Sequence, residues 1–230
     1  MEETTVTLAH SETDGYEIAL RRRTNGPTQS DELIVNGVFT MDSAHIDSEI
    51  ALAEALGPHP GHVLVGGLGL GFTAAHLLAM GATSIDIVEL AAPLLQWAHQ
   101  GLTPTLASLA ASPQVSLRQG DVAELLCAQP SLPGLFGPWD AIYLDIDNGP
   151  DFLVHPGNAQ LYTRAGMAAT LNHLNPGGGV AIWSQGPSKR FWYDLATLDP
   201  DATERLIPVK RGNRKMDYAV YVIHAAASVK

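Results

Sequence analysis

VLVGGLGLGFTAAHLLAMGATSIDIVEL, residues 63–90, decides how the rest of this chain is read. An apolar strand ending at Val65 runs into Gly66, Gly67, Gly69 and Gly71. A helix is predicted from about Thr73 to Met80, and Gly81 can close it in the left-handed conformation. The strand SIDIV follows, with Glu89 at its carboxyl end. A nucleoside ligand needs such an arrangement. Residues without side chains let the backbone approach it, and an acid on the next strand end can accept hydrogen bonds from both ribose hydroxyls.

Working outward, Gly57-Pro58-His59-Pro60-Gly61 marks a boundary. Beyond it strand and helix patterns alternate. Strands are expected at 62–65, 84–89, 115–118, 141–145 and 180–184, and helices at 73–80, 92–100, 122–128 and 161–174, the last closed by Asn175-Pro176-Gly177-Gly178. A short helix is expected near 190–196, and DYAVYVIHA near the end reads as a strand. Such alternation predicts an α/β fold, a mostly parallel sheet with helices on both faces. Before the boundary, TVTLAH, YEIALRRR and ELIVNGVFTM read as short β runs separated by Asn25-Gly26-Pro27 and Asn36-Gly37. HIDSEIALAEAL, His45 to Leu56, has helical spacing. The expected division is a small β-hairpin region with its leading helix over 1–56 and a ligand-binding domain over 57–230.

Composition narrows the function classes. The chain has 230 residues, 46% of them hydrophobic, with a mean hydropathy of +0.06, which suits a soluble, well-cored globule. No apolar run reaches the roughly 20 residues of a membrane span, and the acidic MEETTVTLAH is unlike a secretory signal. Membrane partners are therefore not expected, and the location is read as cytoplasmic. A formal charge of −11 argues against a nucleic-acid partner. The basic clusters Arg21-Arg22-Arg23 and Lys210-Arg211 with Arg214-Lys215 are read as solvated strand ends and a loop. Cys127 is the only cysteine, and the nine histidines form neither H-x-x-x-H nor H-E-x-x-H, so no metal site is expected.

Three further segments can carry chemistry. Gln119-Gly120-Asp121-Val122 follows the third expected strand, where Asp121 can accept from an adenine amino group, cap the next helix, or do both. AIYLDIDNGPD places Asp145 and Asp147 two residues apart, on one face if the strand stays extended. Paired carboxylates there could bind and deprotonate an amine or hydroxyl, mutual repulsion lifting one pKa towards that of a useful base. Trp183-Ser184-Gln185-Gly186 offers an indole and an amide at the same edge, and Trp139 and Tyr162 are candidates for either pocket or core.

Taken in order, these motifs resemble the spermidine synthase (polyamine aminopropyltransferase) family, from about Glu32 to the C-terminus. ELIVNGVFTMDSAHIDSEIALAEAL is similar to that family's hairpin and first helix. VGGLGLG stands at its GGGDGG loop, VEL at its ribose-binding strand end, and QGDV at its adenine-binding segment. LDIDNGP stands at its catalytic DSSDP-x-GP segment, Leu161-Tyr162 at its FY, and Gln185 at a recurrent glutamine. The resemblance implies a Rossmann-like methyltransferase fold that binds S-adenosylmethionine or its decarboxylated form. It implies Gly67, Gly69, Gly71, Glu89, Asp121 and Val122 as cofactor-binding, Asp145 and Asp147 as catalytic, and Asn148, Tyr162 and Gln185 as lining the acceptor pocket. The partner implied is a small-molecule acceptor such as an amine, and the family also admits a homodimer.

Two departures direct the expectation. The family's loop acid, which suits the carboxylate-free tail of decarboxylated S-adenosylmethionine, aligns with Gly69. Glycine removes repulsion against a donor carboxylate, so methyl transfer from S-adenosylmethionine is favoured. Transfer of the three-carbon arm with release of methylthioadenosine is the alternative. The catalytic segment is also two residues short, so Asp145 aligns with the family's first aspartate and Asp147 only approximately with the second. A nucleoside-binding protein without catalysis is the reading from another class, and the retained aspartates weigh against it.

Overall fold

The computed structural model describes residues 3–13, 16–128, 132, 135, 137–211 and 214–227. Its first part is one antiparallel sheet in the order β1 (Thr4–Thr13), β2 (Tyr16–Asn25), β3 (Thr28–Val35) and β4 (Val38–Asp42). Arg22 and Asp31 face each other across β2 and β3, with guanidinium-to-carboxylate distances of 2.7 and 3.0 Å. Arg23 pairs with Glu32 at 2.8 Å, so two of the three basic residues at 21–23 are neutralised within the sheet. Ile18, Leu20, Leu33 and Val35 continue the face that carries Arg22 and Asp31, and they are buried.

The remaining elements follow in chain order: α1 (Asp47–Glu54), β5 (His62–Gly66), α2 (Phe72–Ala79), β6 (Ser84–Glu89), α3 (Ala92–Gln100), α4 (Pro104–Ala111), β7 (Val115–Gln119), α5 (Val122–Cys127) and β8 (Trp139–Leu144). A 3₁₀ turn at Pro156–Gln160 leads into α6 (Arg164–Leu171), β9 (Leu174–Ser184), α7 (Lys189–Leu198), β10 (Thr203–Arg211) and β11 (Arg214–His224). The seven strands from β5 onward form one sheet in the order β10-β11-β9-β8-β5-β6-β7. Its five strands from β9 to β7 are parallel, and β11 and β10 add an antiparallel edge. The chain steps from β5 through β6 to β7 on one side, then returns to β8 and β9 on the other. Open sheets leave a crevice at the carboxyl ends where the order reverses, here between β5 and its neighbours.

Successive strand residues feed opposite layers, so both faces must be apolar. Val63 and Val65 of β5 join Ala51, Leu52, Ala74, Leu77, Leu94 and Leu106 from α1 to α4, whereas Leu64 joins Leu125, Met167, Phe191 and Leu195 from α5 to α7. The apolar face of the N-terminal sheet belongs to the first of these layers. Phe191 packs edge-on between Tyr162 and Tyr221, with ring centroids 5.5 and 5.3 Å away.

Several elements differ from the reading of the sequence. The helix expected over 161–174 is confined to Arg164–Leu171, because the Thr163 hydroxyl caps it by accepting from Gly166 N at 3.0 Å. Leu174 instead pairs with Trp139, which draws 174–178 into β9. The strand expected at 141–145 starts at Trp139 and stops at Leu144. Besides the 3₁₀ turn, two elements were not anticipated. One is α4, opened by Thr103 as cap and Pro104 in its first turn, and the other is β10. No helix among the described residues is long and apolar enough to cross a membrane.

Candidate active site

The strand ends, the glycine loop and the N-terminal sheet enclose one cleft of about 1040 Å³ including its open mouth. Gly67, Gly69, Glu89, Asp121, Val122, Asp145, Asp147 and Asn148 all line it. The opposite wall is Ile18, Leu33, Val35, Thr40 and Met41. This wall comes from the region expected to be an appendage, and nothing in the sequence announces it. The alternation at Leu33 and Val35 signals a buried face but not what that face covers.

The glycine loop divides its work. Gly67, Gly69 and Gly71 all have positive φ, at 88, 51 and 86°. A side chain on Gly67 would strike the Asp145 carbonyl, so this glycine lets the β5 and β8 ends approach each other. A Cβ on Gly69 would lie 2.7 Å from Met41 Sδ, and the same sulfur accepts the Leu70 amide at 3.3 Å. Gly71 faces elsewhere: its Cβ would lie 2.6 Å from Leu109 Cδ1 of α4, and it is absent from the cleft wall. Of the three glycines expected to bind the cofactor, Gly71 is thus the one placed outside the cleft wall. It permits the left-handed start of α2 and the packing of α2 on α4.

Glu89 is buried, and its two oxygens accept the amides of Leu68 at 2.8 Å and Ala91 at 2.7 Å. Burial pushes its pKa up, and the backbone amides oppose that shift. The amides of Gly69 and Leu90 also stabilise the carboxylate, so four backbone groups tie Glu89 to the glycine loop and to the start of the next segment. Asp121 caps α5, Oδ1 accepting from Ala123 N at 2.8 Å and Glu124 N at 3.2 Å. Both roles weighed for Asp121 are geometrically open together, because only Oδ1 serves the cap.

Asp145 and Asp147 lie in a turn beyond the end of β8, not on an extended strand. Their environments differ. Asp145 Oδ2 accepts from the Thr73 hydroxyl at 2.8 Å; burial raises its pKa, and Thr73 works against the rise. Asp147 Oδ1 accepts from Val154 N at 2.6 Å and His155 N at 3.3 Å, which ties down the segment after the turn. Its pKa is also raised, again by burial first. Desolvation, rather than the repulsion the pairing suggested, thus lifts both groups.

The residues expected to hold an acceptor are only partly assembled. Asn148 is in the cleft and its carbonyl accepts from Gln185 N at 3.0 Å, but Gln185 itself is exposed and outside the cleft wall. Tyr162 is buried behind the site, where its hydroxyl approaches the Asp147 carboxylate without reaching hydrogen-bonding geometry. Trp139 lies in the amino-terminal half of the sheet, its indole donating to Asp86 Oδ2 at 2.9 Å, and is core rather than pocket. Trp183 does line the cleft, edge-on to Tyr218 at 5.0 Å. Thr73, Met41, Glu49, His155 and Asn158 are the site residues that sequence reasoning missed. They converge from separate elements with no spacing to betray them. Among the described residues, no three His, Cys, Asp or Glu side chains gather as a metal site.

Comparison with known proteins places this geometry. No protein-family model and no curated protein matches the chain by sequence. Solved structures do match it by fold. A spermidine synthase in complex with the transition-state analogue AdoDATO superposes with a TM-score of 0.75 at 15% identity, over 96% of this chain and 74% of that one. The fold is that of the spermidine synthases. The enzyme from Thermotoga maritima gives a TM-score of 0.68 at 13% identity, over 96% and 73% of the two chains. A putative O-methyltransferase from Klebsiella pneumoniae gives 0.53 at 17% identity, over 82% and 83%. The family resemblance read from the motifs and the mostly parallel α/β architecture therefore agree with the structure. At these identities the likeness concerns the fold alone, a Rossmann-like one, and leaves the reaction to be argued from the site.

Proposed function

We propose that this chain is a transferase acting from S-adenosylmethionine, with methyl transfer to a small-molecule acceptor as its reaction. The observation that carries the reading is the convergence of Gly67, Glu89, Asp121 and Asp145 on one cleft at the carboxyl edge of the sheet. The residues present fit the donor. Asp121 Oδ2 takes no part in the helix cap, and Glu89 lines the cleft beside a loop with no side chain at Gly67 or Gly69. When bound, the sulfonium supplies an already activated carbon, so the protein's task is alignment and proton removal.

Asp145 is the base in this reading. Its raised pKa brings it nearer to neutrality, and Thr73 fixes its orientation. Methyl transfer is favoured because Met41 Sδ, not a carboxylate, stands against Gly69, so the loop does not repel a donor carboxylate. A second reading has its own support: five carboxylates and no lysine or arginine line the cleft among the described residues. Such a wall also suits decarboxylated S-adenosylmethionine and transfer of its three-carbon arm. The proposal carries with it a cytoplasmic enzyme that uses no metal and acts on neither nucleic acid nor membrane.

Product analysis decides between the readings. Incubation with S-adenosylmethionine and, separately, with its decarboxylated form, each with a panel of amines and hydroxylated acceptors, is expected to release S-adenosylhomocysteine from the first and no methylthioadenosine from either. Release of methylthioadenosine alone would overturn methyl transfer. No calorimetric binding of either donor or of methylthioadenosine would remove the transferase reading.

A further inference from the structure

The two basic clusters of the sequence have different settings. In the N-terminal sheet, Arg22 and Arg23 are matched by Asp31 and Glu32 on the neighbouring strand. The hairpin of β10 and β11 has no such match. From Arg205 to Met216 the sequence carries five of the chain's 13 lysines and arginines and no acid. The ladder ends on two successive like-charged pairs, Lys210 opposite Lys215 and Arg211 opposite Arg214. Both lysines are exposed, and neither forms an ion pair among the described residues. Asp217, exposed and two residues past Lys215, pairs with neither.

Like charges directly opposite one another destabilise a ladder. Lysine on an edge strand guards against pairing with another chain, which accounts for Lys210 on β10. It does not account for Arg214 and Lys215, because β11 lies inside the sheet between β10 and β9. Their place relative to the cleft supplies a different reason. Ala219 faces Ser184 at the carboxyl end of β9, and residues 214–218 run beyond that edge. Tyr218 lines the cleft, and Lys215 stands three residues farther out, about 10 Å along the strand. The cationic tip therefore projects past the β9–β11 side of the cleft, opposite in sign to the acids of its wall. An extended molecule along this gradient keeps an anionic group outside the acidic cleft and at the tip. Lysine and arginine are the residue types that hold carboxylate and phosphate oxygens through charge-assisted hydrogen bonds.

Resting on the transferase reading, we propose that Lys210 and Lys215, with Arg211 and Arg214 in register beside them, form an anion site that holds a carboxylate or phosphate at the outer end of the acceptor. These are binding residues, separate from the groups that hold the donor or take the proton.

The test is an NMR titration of the full chain, saturated with methylthioadenosine, with inorganic phosphate and with glutarate at constant ionic strength. The two anions stand for phosphorylated and carboxylated acceptors. The Lys215 and Met216 amide signals are expected to shift with at least one of them, and the tighter anion names the acceptor's group. Lys215→Glu should weaken that anion by about tenfold or more and keep methylthioadenosine affinity within about twofold. Its cross-strand pair becomes attractive, so it should melt at or above the wild-type temperature. Absence of shifts with both anions, or equal affinity in folded Lys215→Glu, overturns the anion site. If Lys215→Glu melts lower, Lys210→Gln and Lys215→Gln are judged by the same affinity criterion. Among acceptors that turn over, Lys215→Glu should raise KM for anionic ones about fivefold or more at unchanged kcat and spare neutral ones. Equal effects on both classes overturn the acceptor assignment. Failure of methylthioadenosine and both donors to bind removes the transferase reading, and the two anion titrations, repeated on the unliganded chain, still decide the anion site.

Discussion

Thr73 donates its hydroxyl hydrogen to Asp145 Oδ2 at 2.8 Å, joining the first turn of α2 to the end of β8 across 72 residues of sequence. This bond stabilises the charged carboxylate against the burial that raises its pKa. Thr73→Val removes it, so the Asp145 pKa should rise further. The acid limb of the pH–rate profile should then move to higher pH, with donor affinity kept. An unmoved acid limb in a folded variant would sink this role for Thr73.

The same pKa direction makes a stability prediction. A carboxyl whose folded pKa exceeds its unfolded pKa contributes stability that is present at low pH and lost as pH rises through the folded value. Asp145→Asn removes the charge and keeps an acceptor for Thr73. It should melt above wild type at pH 8, the difference should close as pH falls towards 4, and turnover should be abolished. A variant that melts lower at pH 8, or that still turns over, contradicts the assignment.

Asp147 anchors backbone rather than substrate through Oδ1, which holds the Val154 and His155 amides. Asp147→Ala should cost about 1–3 kcal/mol for the amides left without an acceptor. Hydrogen exchange at Val154 and His155 should rise well above that of β5. Protection equal to wild type at both amides would refute the anchor.

Gly69 and Met41 form one steric unit. Gly69→Asp puts a side chain at a φ of 51° and drives its Cβ into Met41 Sδ. The left-handed conformation alone costs about 1–2 kcal/mol, and the clash adds to it. Adding Met41→Ala should recover the clash but not the conformational part. Chemical denaturation of the four proteins in the cycle measures this, and additivity within about 0.5 kcal/mol would show the two positions to be independent.

Asp86 supplies the contrast far from the cleft. Its Oδ2 accepts from the Trp139 indole and contacts His62 Nε2, both at 2.9 Å. Asp86→Ala should destabilise the protein by roughly 1.5–3 kcal/mol, because the buried indole N–H loses its acceptor. Turnover by the folded fraction should stay within about twofold of wild type, and a larger fall in kcat would tie this cluster to the site.

The sequence was legible where local and tertiary preferences agree. β5, the glycine loop, α2 and β6 are each specified within a few residues, as is α3, which has Pro93 in its first turn and Gly101 in the left-handed conformation at its end. β10 was hidden because Pro208 and alternating charges make TERLIPVKR resemble a loop, and an edge strand tolerates both. The shared face predicted for Asp145 and Asp147 required a strand longer than the one that forms. Half of the cleft was illegible for a different reason. Met41 and Glu49 acquire their positions only when the N-terminal sheet and α1 settle over the glycine loop, Thr73 only when α2 meets the end of β8, and no local periodicity encodes either contact.

The wall formed by Ile18, Leu33, Val35, Thr40 and Met41 makes the N-terminal sheet part of the cleft. Under the proposed function a ligand would be gripped between segments that fold under separate local rules, so its binding would report whether the two have met. Adenosyl ligands should therefore protect β3 and β4 against hydrogen exchange as strongly as they protect the glycine loop. For redesign, the proposed function implies a division of labour: exchanging residues 16–42 should alter which molecules are admitted, while the strand ends of the larger sheet should continue to hold the nucleoside.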